Sequence, residues 1–99
     1  MAGKNTNTSH HMFDLDMYQP LLTIFPELTN IQAVTAFLYV VGCNVEAIAD
    51  IRSVSSSTVV ESLNSAKGRL NVPSLHVLRS VVLSRLVISI LNLININTR

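Results

Sequence analysis

The side chains best placed to make specific polar contacts cluster between Arg52 and Arg69, in the stretch RSVSSSTVVESLNSAKGR. It holds the hydroxyls of Ser56, Ser57 and Thr58, the carboxylate of Glu61, the amide of Asn64 and the cations Arg52, Lys67 and Arg69. Such groups donate and accept hydrogen bonds along a surface; they do not form a bond-breaking centre. The chain has no Gly-rich phosphate loop and no His or Cys spacing of a metal site. The acids Glu46, Asp50 and Glu61 are spread apart, and His76 stands on an otherwise apolar segment, where packing suits it better than base chemistry. The adjacent pair His10-His11 lacks a third ligand nearby and reads as part of a solvated tail. No enzyme, metal or cofactor is expected.

What must position these residues is a pair of helices within Val45–Val72. In the second, Val59, Leu63, Ala66 and Leu70 recur at helical spacing and share one face. The hydroxyl run Ser55-Ser56-Ser57-Thr58 supplies an N-cap, because a short side-chain oxygen accepts from a free N–H of the first turn. Ser57, Glu61, Asn64, Ser65 and Gly68 fall on the opposite face, with Val60 and Lys67 on the flank. Asn71 tolerates the left-handed conformation that ends a helix, and Pro73 cannot continue it. The first helix is shorter, with Asn44 as its cap, Ala47, Ile48 and Ile51 as its stripe, and Val54 plugging the turn. The outline is that of a helix-turn-helix, which sets its second helix in a DNA groove; an ordinary helical hairpin without a ligand has the same spacing.

Around this pair the chain divides into a tail at 1–12, an extension at 13–27 and a domain at 28–99. The tail is polar and without helical period, so it is expected to be disordered. The extension FDLDMYQPLLTIF is amphipathic but interrupted by Pro20, with Asp14 or Asp16 as a cap, and its apolar residues need cover from the domain or a second subunit. Thr29 caps the first domain helix, whose stripe is Ile31, Val34, Phe37, Leu38 and Val41, with Thr35, Ala36 and Tyr39 on the other faces. Ser74 caps a last helix that is apolar on more than one side, through Leu75, Leu78, Val82, Leu86 and Ile90 flanked by Val77, Val81, Leu83, Val87 and Ile88. A domain this small covers one side, so the surplus predicts a dimer interface of Leu75, Leu78, Arg79, Val82, Leu86 and Ile90. Covering even ~400 Å2 at about 25 cal/mol per Å2 contributes on the order of 10 kcal/mol before association entropy. The final LNLININTR extends this helix, frays or adds a strand.

Several residues together resemble the LuxR/GerE-type helix-turn-helix family. Leu28-Thr29 is similar to the Leu-Thr that opens the family's first helix, and Gly42 to the glycine that ends it. Ile48-Ala49 matches the Ile-Ala of the scaffold helix, Val54-Ser55 the Ile-Ser of the turn, and Thr58-Val59 the Thr-Val that opens the recognition helix. Leu70 and Val72 match the closing Leu-x-Val, with Arg69 at a usual basic position. The resemblance covers Leu28–Leu86 and is to the stand-alone members, which carry no sensor domain. The departures lie at contact positions. A usual phosphate-binding lysine is Val60, a histidine is Ser62, a basic residue is Gly68 and a scaffold leucine is Arg52, while the usual acids of the first helix and before Ile-Ala give way to Gln32 or Val34 and to Ala47.

The resemblance implies an all-α domain of four to five helices with a C-terminal dimerisation helix, in a bacterial cytoplasmic regulator that binds double-stranded DNA. Composition agrees only in part. At 48% apolar and 13% charged residues the chain is rich enough for a core, but its net charge of +1 gives little attraction for phosphate. Cys43 is the lone cysteine, suited to a small apolar filler in a reducing compartment. The start lacks the apolar stretch of a secretory leader. No run reaches the ~18 uninterrupted apolar residues of a membrane span, the nearest being Leu86–Ile96, broken by Ser89, Asn92 and Asn95. The leading reading is a dimeric DNA-binding regulator. Ser56, Ser57, Thr58, Glu61, Asn64 and Lys67 would face the major groove, and Arg52, Lys67 and Arg69 would reach phosphates. The competing reading is a protein-interaction module of the same fold that heterodimerises with a related regulator; a sigma-factor-like module is weaker. No small-molecule substrate is expected.

Overall fold

The computed structural model describes residues 15–97, so the expected disorder at 1–12 and the histidine pair lie outside the described residues. The described chain is all-helical. A 3₁₀ turn at Leu15–Tyr18 leads into α1 (Gln19–Ile24), followed by α2 (Asn30–Val40), α3 (Val45–Arg52), α4 (Ser56–Leu70) and α5 (Leu75–Asn97). Pro20 does not interrupt the extension. It sits in the first turn of α1, where its missing N–H removes no helical bond. Tyr18, Leu21 and Phe25 are buried, so the extension finds its cover on its own domain.

The helix starts are set by side chains. Thr29 Oγ1 accepts from Gln32 N at 3.2 Å while Gln32 Oε1 accepts from Thr29 N at 3.0 Å, a reciprocal capping box. Asn44 Oδ1 accepts from Ala47 N at 2.8 Å, Ser55 Oγ from Thr58 N at 3.2 Å, and Ser74 Oγ from Val77 N at 3.1 Å. The ends use left-handed residues: Gly42 at φ 114°, Ser53 at φ 59° and Asn71 at φ 57°. After each, the next N–H reaches back to a carbonyl of the last turn: Cys43 to Leu38, Val54 to Ala49 and Val72 to Lys67, all at 3.0 Å.

The core is built on α2, which packs against α1, α3, α4 and α5. This explains why Thr35 and Ala36, placed off the apolar stripe by spacing, are buried. A helix covered on several sides has no polar face, and its apolar stripe understates its burial. Val34, Ile48, Val59, Leu63, Leu78 and Val82 fill the centre with essentially no exposure. Truncating any of the leucines or the isoleucine to alanine would cost about 2–5 kcal/mol. Cys43 is half-buried and packs on this core, whereas Val54 and His76 stand exposed; neither takes the packing role read from sequence.

α5 runs unbroken to Asn97, so the strand alternative for its end is replaced by helix. Its first half docks on the core through Leu78 and Val82 and on the extension through Arg85. Beyond Leu86 its apolar residues are exposed, from 45% at Val87 to 68% at Ile96. Leu75–Ile96 is long and apolar enough to cross a membrane, which corrects the expectation drawn from uninterrupted runs. Ser89, Asn92 and Asn95 interrupt the run without bringing charge.

Candidate nucleic-acid interface

α3 and α4 are joined by the three residues Ser53-Val54-Ser55. The left-handed Ser53 turns the chain at the end of α3, and Ser55 starts α4 by capping it. Val59, Leu63 and Ala66 fix the inner side of α4 in the core. That leaves Ser57, Val60, Glu61, Asn64, Ser65 and Gly68 exposed on its outer side. Val60, placed on the flank from spacing, belongs to this outer face and is 43% exposed. A Cβ built on Gly68 would meet nothing within 4 Å, so no close approach requires glycine there.

The hydroxyls at the start of α4 are already engaged with one another. Ser55 Oγ lies 3.1 Å from Ser57 Oγ and 2.9 Å from Thr58 Oγ1. Ser56 and Ser57 are exposed and Thr58 is half-buried. A ligand approaching this corner meets a compact group of hydroxyls at the positive end of the helix dipole.

The cations are arranged differently from the sequence expectation. Arg52, assigned to a phosphate, turns inward. Its Nη1 donates to Thr35 Oγ1 and to Ser62 Oγ, both at 3.1 Å, tying α3 to α2 and α4. Burial lowers its pKa from the usual arginine range, though it remains charged. Thr35 is fully buried and carries a hydroxyl that needs a partner, so Arg52 acts as a polar bridge. Arg69 is exposed but donates from Nη1 to the Glu27 carbonyl oxygen at 3.1 Å. Lys67 is half-buried on the flank of α4. No signal in the linear pattern pointed to Ser62 as a partner of Arg52, because the contact joins two helices, α3 and α4.

The residues expected at a dimer interface also divide. Leu78 and Val82 are sealed in the core of their own chain at 0% and 1% exposure, which removes them from any interface between chains. Leu75 and Leu86 are half-buried against the same core. Arg79 is exposed with its guanidinium 4.7 Å from the centre of the Tyr39 ring, a cation–π contact. Ile90 alone of the six stands clear of the domain as an apolar residue, at 57% exposure. The side of α5 left open is the one opposite Leu78 and Val82, and spacing had missed it by treating the whole helix as one broad stripe.

Among the described residues no group of three His, Cys, Asp or Glu side chains is placed to hold a metal ion. No known protein family, curated protein or solved structure matches this chain.

Proposed function

We propose that the chain is a small transcriptional regulator of LuxR/GerE-like fold that binds double-stranded DNA as a dimer in the cytoplasm. One observation carries the reading: the inner side of α4 is locked into the core while the side bearing Ser57, Glu61 and Asn64 is left open. A helix held in this way, after a three-residue turn, is what a major-groove reader needs. Asn64 would pair with the N6 and N7 edge of adenine, and Glu61 would accept from a cytosine amino group. Ser56, Ser57 and Thr58, with the first free N–H groups of α4, would take a phosphate, and Lys67 and Arg69 would add charge.

The test is a binding series on a selected DNA site and on unrelated sequence. Asn64→Ala is expected to weaken the selected site by about 1–3 kcal/mol and to relax preference at one base pair. Lys67→Ala is expected to weaken all sequences alike and to flatten the salt dependence by about one phosphate contact. Equal weakening of every sequence by Asn64→Ala would overturn the base-reading role.

A second reading is favoured by the engaged cations. Arg52, Arg69, Arg79 and Arg85 each have a partner within the chain, and Glu61 adds negative charge to the open face. A module of this kind would act by pairing with a basic relative. Pairing through the apolar last helix would change little with salt and give a mixed dimer on size exclusion, whereas binding to DNA falls steeply with salt.

A further inference from the structure

We infer that Val60 reads the C5-methyl group of a thymine, beside the adenine paired by Asn64. This rests on the regulator reading above and names a base that the reading leaves open. Val60 is 43% exposed. It stands on the open side of α4, where its neighbours Ser57, Glu61 and Asn64 are polar and exposed. The buried residues of the same helix are Val59, Leu63 and Ala66, which leaves Val60 outside the core. A single apolar side chain in a row of hydrogen-bonding groups gives a protein partner no continuous patch to cover. It does match duplex DNA, whose major-groove edge carries one apolar group, the methyl of thymine.

The placement follows from helix geometry. Val60, Asn64 and Lys67 succeed one another at intervals of four and three and form one row along α4. Four residues advance the helix by about 6 Å, between one and two base steps of about 3.4 Å. With Asn64 on the N6 and N7 edge of an adenine, Val60 therefore meets a base on the side of the hydroxyls Ser56 and Ser57. Lys67 continues the row toward the backbone on the other side. Glu61 stands about 100° around the helix from Val60, on the far side of Asn64, so the methyl is not set against a carboxylate. Valine is also stiff, and in a helix its branched carbon keeps essentially one rotamer. Its methyls are fixed before DNA arrives, and little side-chain freedom is lost on contact. Cytosine offers a hydrogen where thymine offers the methyl, so Val60 separates the two pyrimidines by apolar contact alone.

The experiment measures dissociation constants of the full chain on a duplex selected from a random library by its binding. Each thymine is replaced in turn by uracil, which removes the methyl and keeps the base pair. The base pair at which Asn64→Ala relaxes preference marks the adenine. At a thymine beside it, the replacement is expected to weaken binding about three- to fivefold, the worth of one covered methyl. Val60→Ala is expected to bind the thymine and uracil duplexes alike, near the level of the natural chain on uracil, with its far-UV circular dichroism retained. Specific binding that ignores every thymine methyl would overturn the inference and leave the regulator reading standing. A methyl effect that survives in Val60→Ala would overturn it as well, since another group then makes the contact. So would a lower sedimentation mass of Val60→Ala with unchanged DNA affinity, which would place Val60 between protein chains. A chain that binds no duplex sinks the regulator reading and this inference together.

Discussion

Arg52 decides how the polar chemistry of this chain divides between fold and surface. Its guanidinium serves the hydroxyls of Thr35 and Ser62, and Thr35 has no access to water. Removing it leaves the buried Thr35 hydroxyl short of a donor, so Arg52→Ala should lower unfolding free energy by about 1–3 kcal/mol in urea titration. The salt slope of DNA binding should stay unchanged, since a phosphate contact is not what is lost; a slope reduced by one contact would return Arg52 to the surface role. Arg85 makes the other anchoring contact, a two-pronged pair with Glu27 at 2.8 and 2.6 Å that closes the extension onto α5. The hydrogen bonds from Arg85 hold the Glu27 carboxyl down at about 2, from an ordinary value of 4.5. The folded form therefore binds fewer protons than the unfolded one in that window. Stability from the pair is complete above pH 4.5 and is lost as pH falls toward 2. Both side chains are more than a third exposed, so screening keeps the contribution to about 1 kcal/mol or less. Melting of the natural chain and of Glu27→Gln should converge as the pH is lowered through this window. Neither arginine's partner was legible in the sequence. Arg52 and Ser62 are ten residues apart, and Arg85 reaches Glu27 across fifty-eight, so neither contact follows a helical period.

At the scale of the elements the sequence was far more informative, because caps and apolar spacing are local. Thr29, Asn44, Ser55, Ser74 and Asn71 all take the terminal positions their chemistry favours. Local reasoning failed where cover comes from more than one neighbour, at Thr35 and Ala36 on α2, and where a helix continues beyond its support, in α5. Gly42 and Ser53 allow a paired test of the helix ends. Gly42 sits at φ 114°, and a Cβ there would touch nothing within 4 Å, so Gly42→Ala isolates the backbone term. It should destabilise by about 1–2 kcal/mol. Ser53 holds φ 59° with a side chain that bears the left-handed penalty already. Ser53→Gly should stabilise by up to about 1 kcal/mol, less the extra freedom that glycine gives the unfolded chain. Opposite signs in chemical denaturation are the expected result; a loss of stability from both would place a side-chain contact of Ser53 above its backbone strain.

For the whole molecule the decisive feature is that α5 belongs to the domain for only part of its length. Leu78 and Val82 are core residues, whereas Ile90, Leu91, Leu93, Ile94 and Ile96 are each more than half exposed. A chain ending at Val87 therefore keeps every fully buried side chain, and its intrinsic stability should stay within about 0.5 kcal/mol of that of a full-length monomer such as Ile90→Asp/Ile94→Asp. The natural full-length chain should behave differently. If its folded state is paired, mass action raises its thermal midpoint with protein concentration. The truncated chain should melt at one temperature whatever the concentration. Thermal denaturation of both forms over a wide concentration range separates the two contributions of α5. A truncated chain that unfolds outright would show that the far half of the helix supports the domain. A full-length midpoint that ignores concentration would show that its exposed face finds no partner in solution. Coincidence of the truncated chain with the double variant, together with a rising midpoint for the natural chain, would assign the near half of α5 to folding and the far half to assembly.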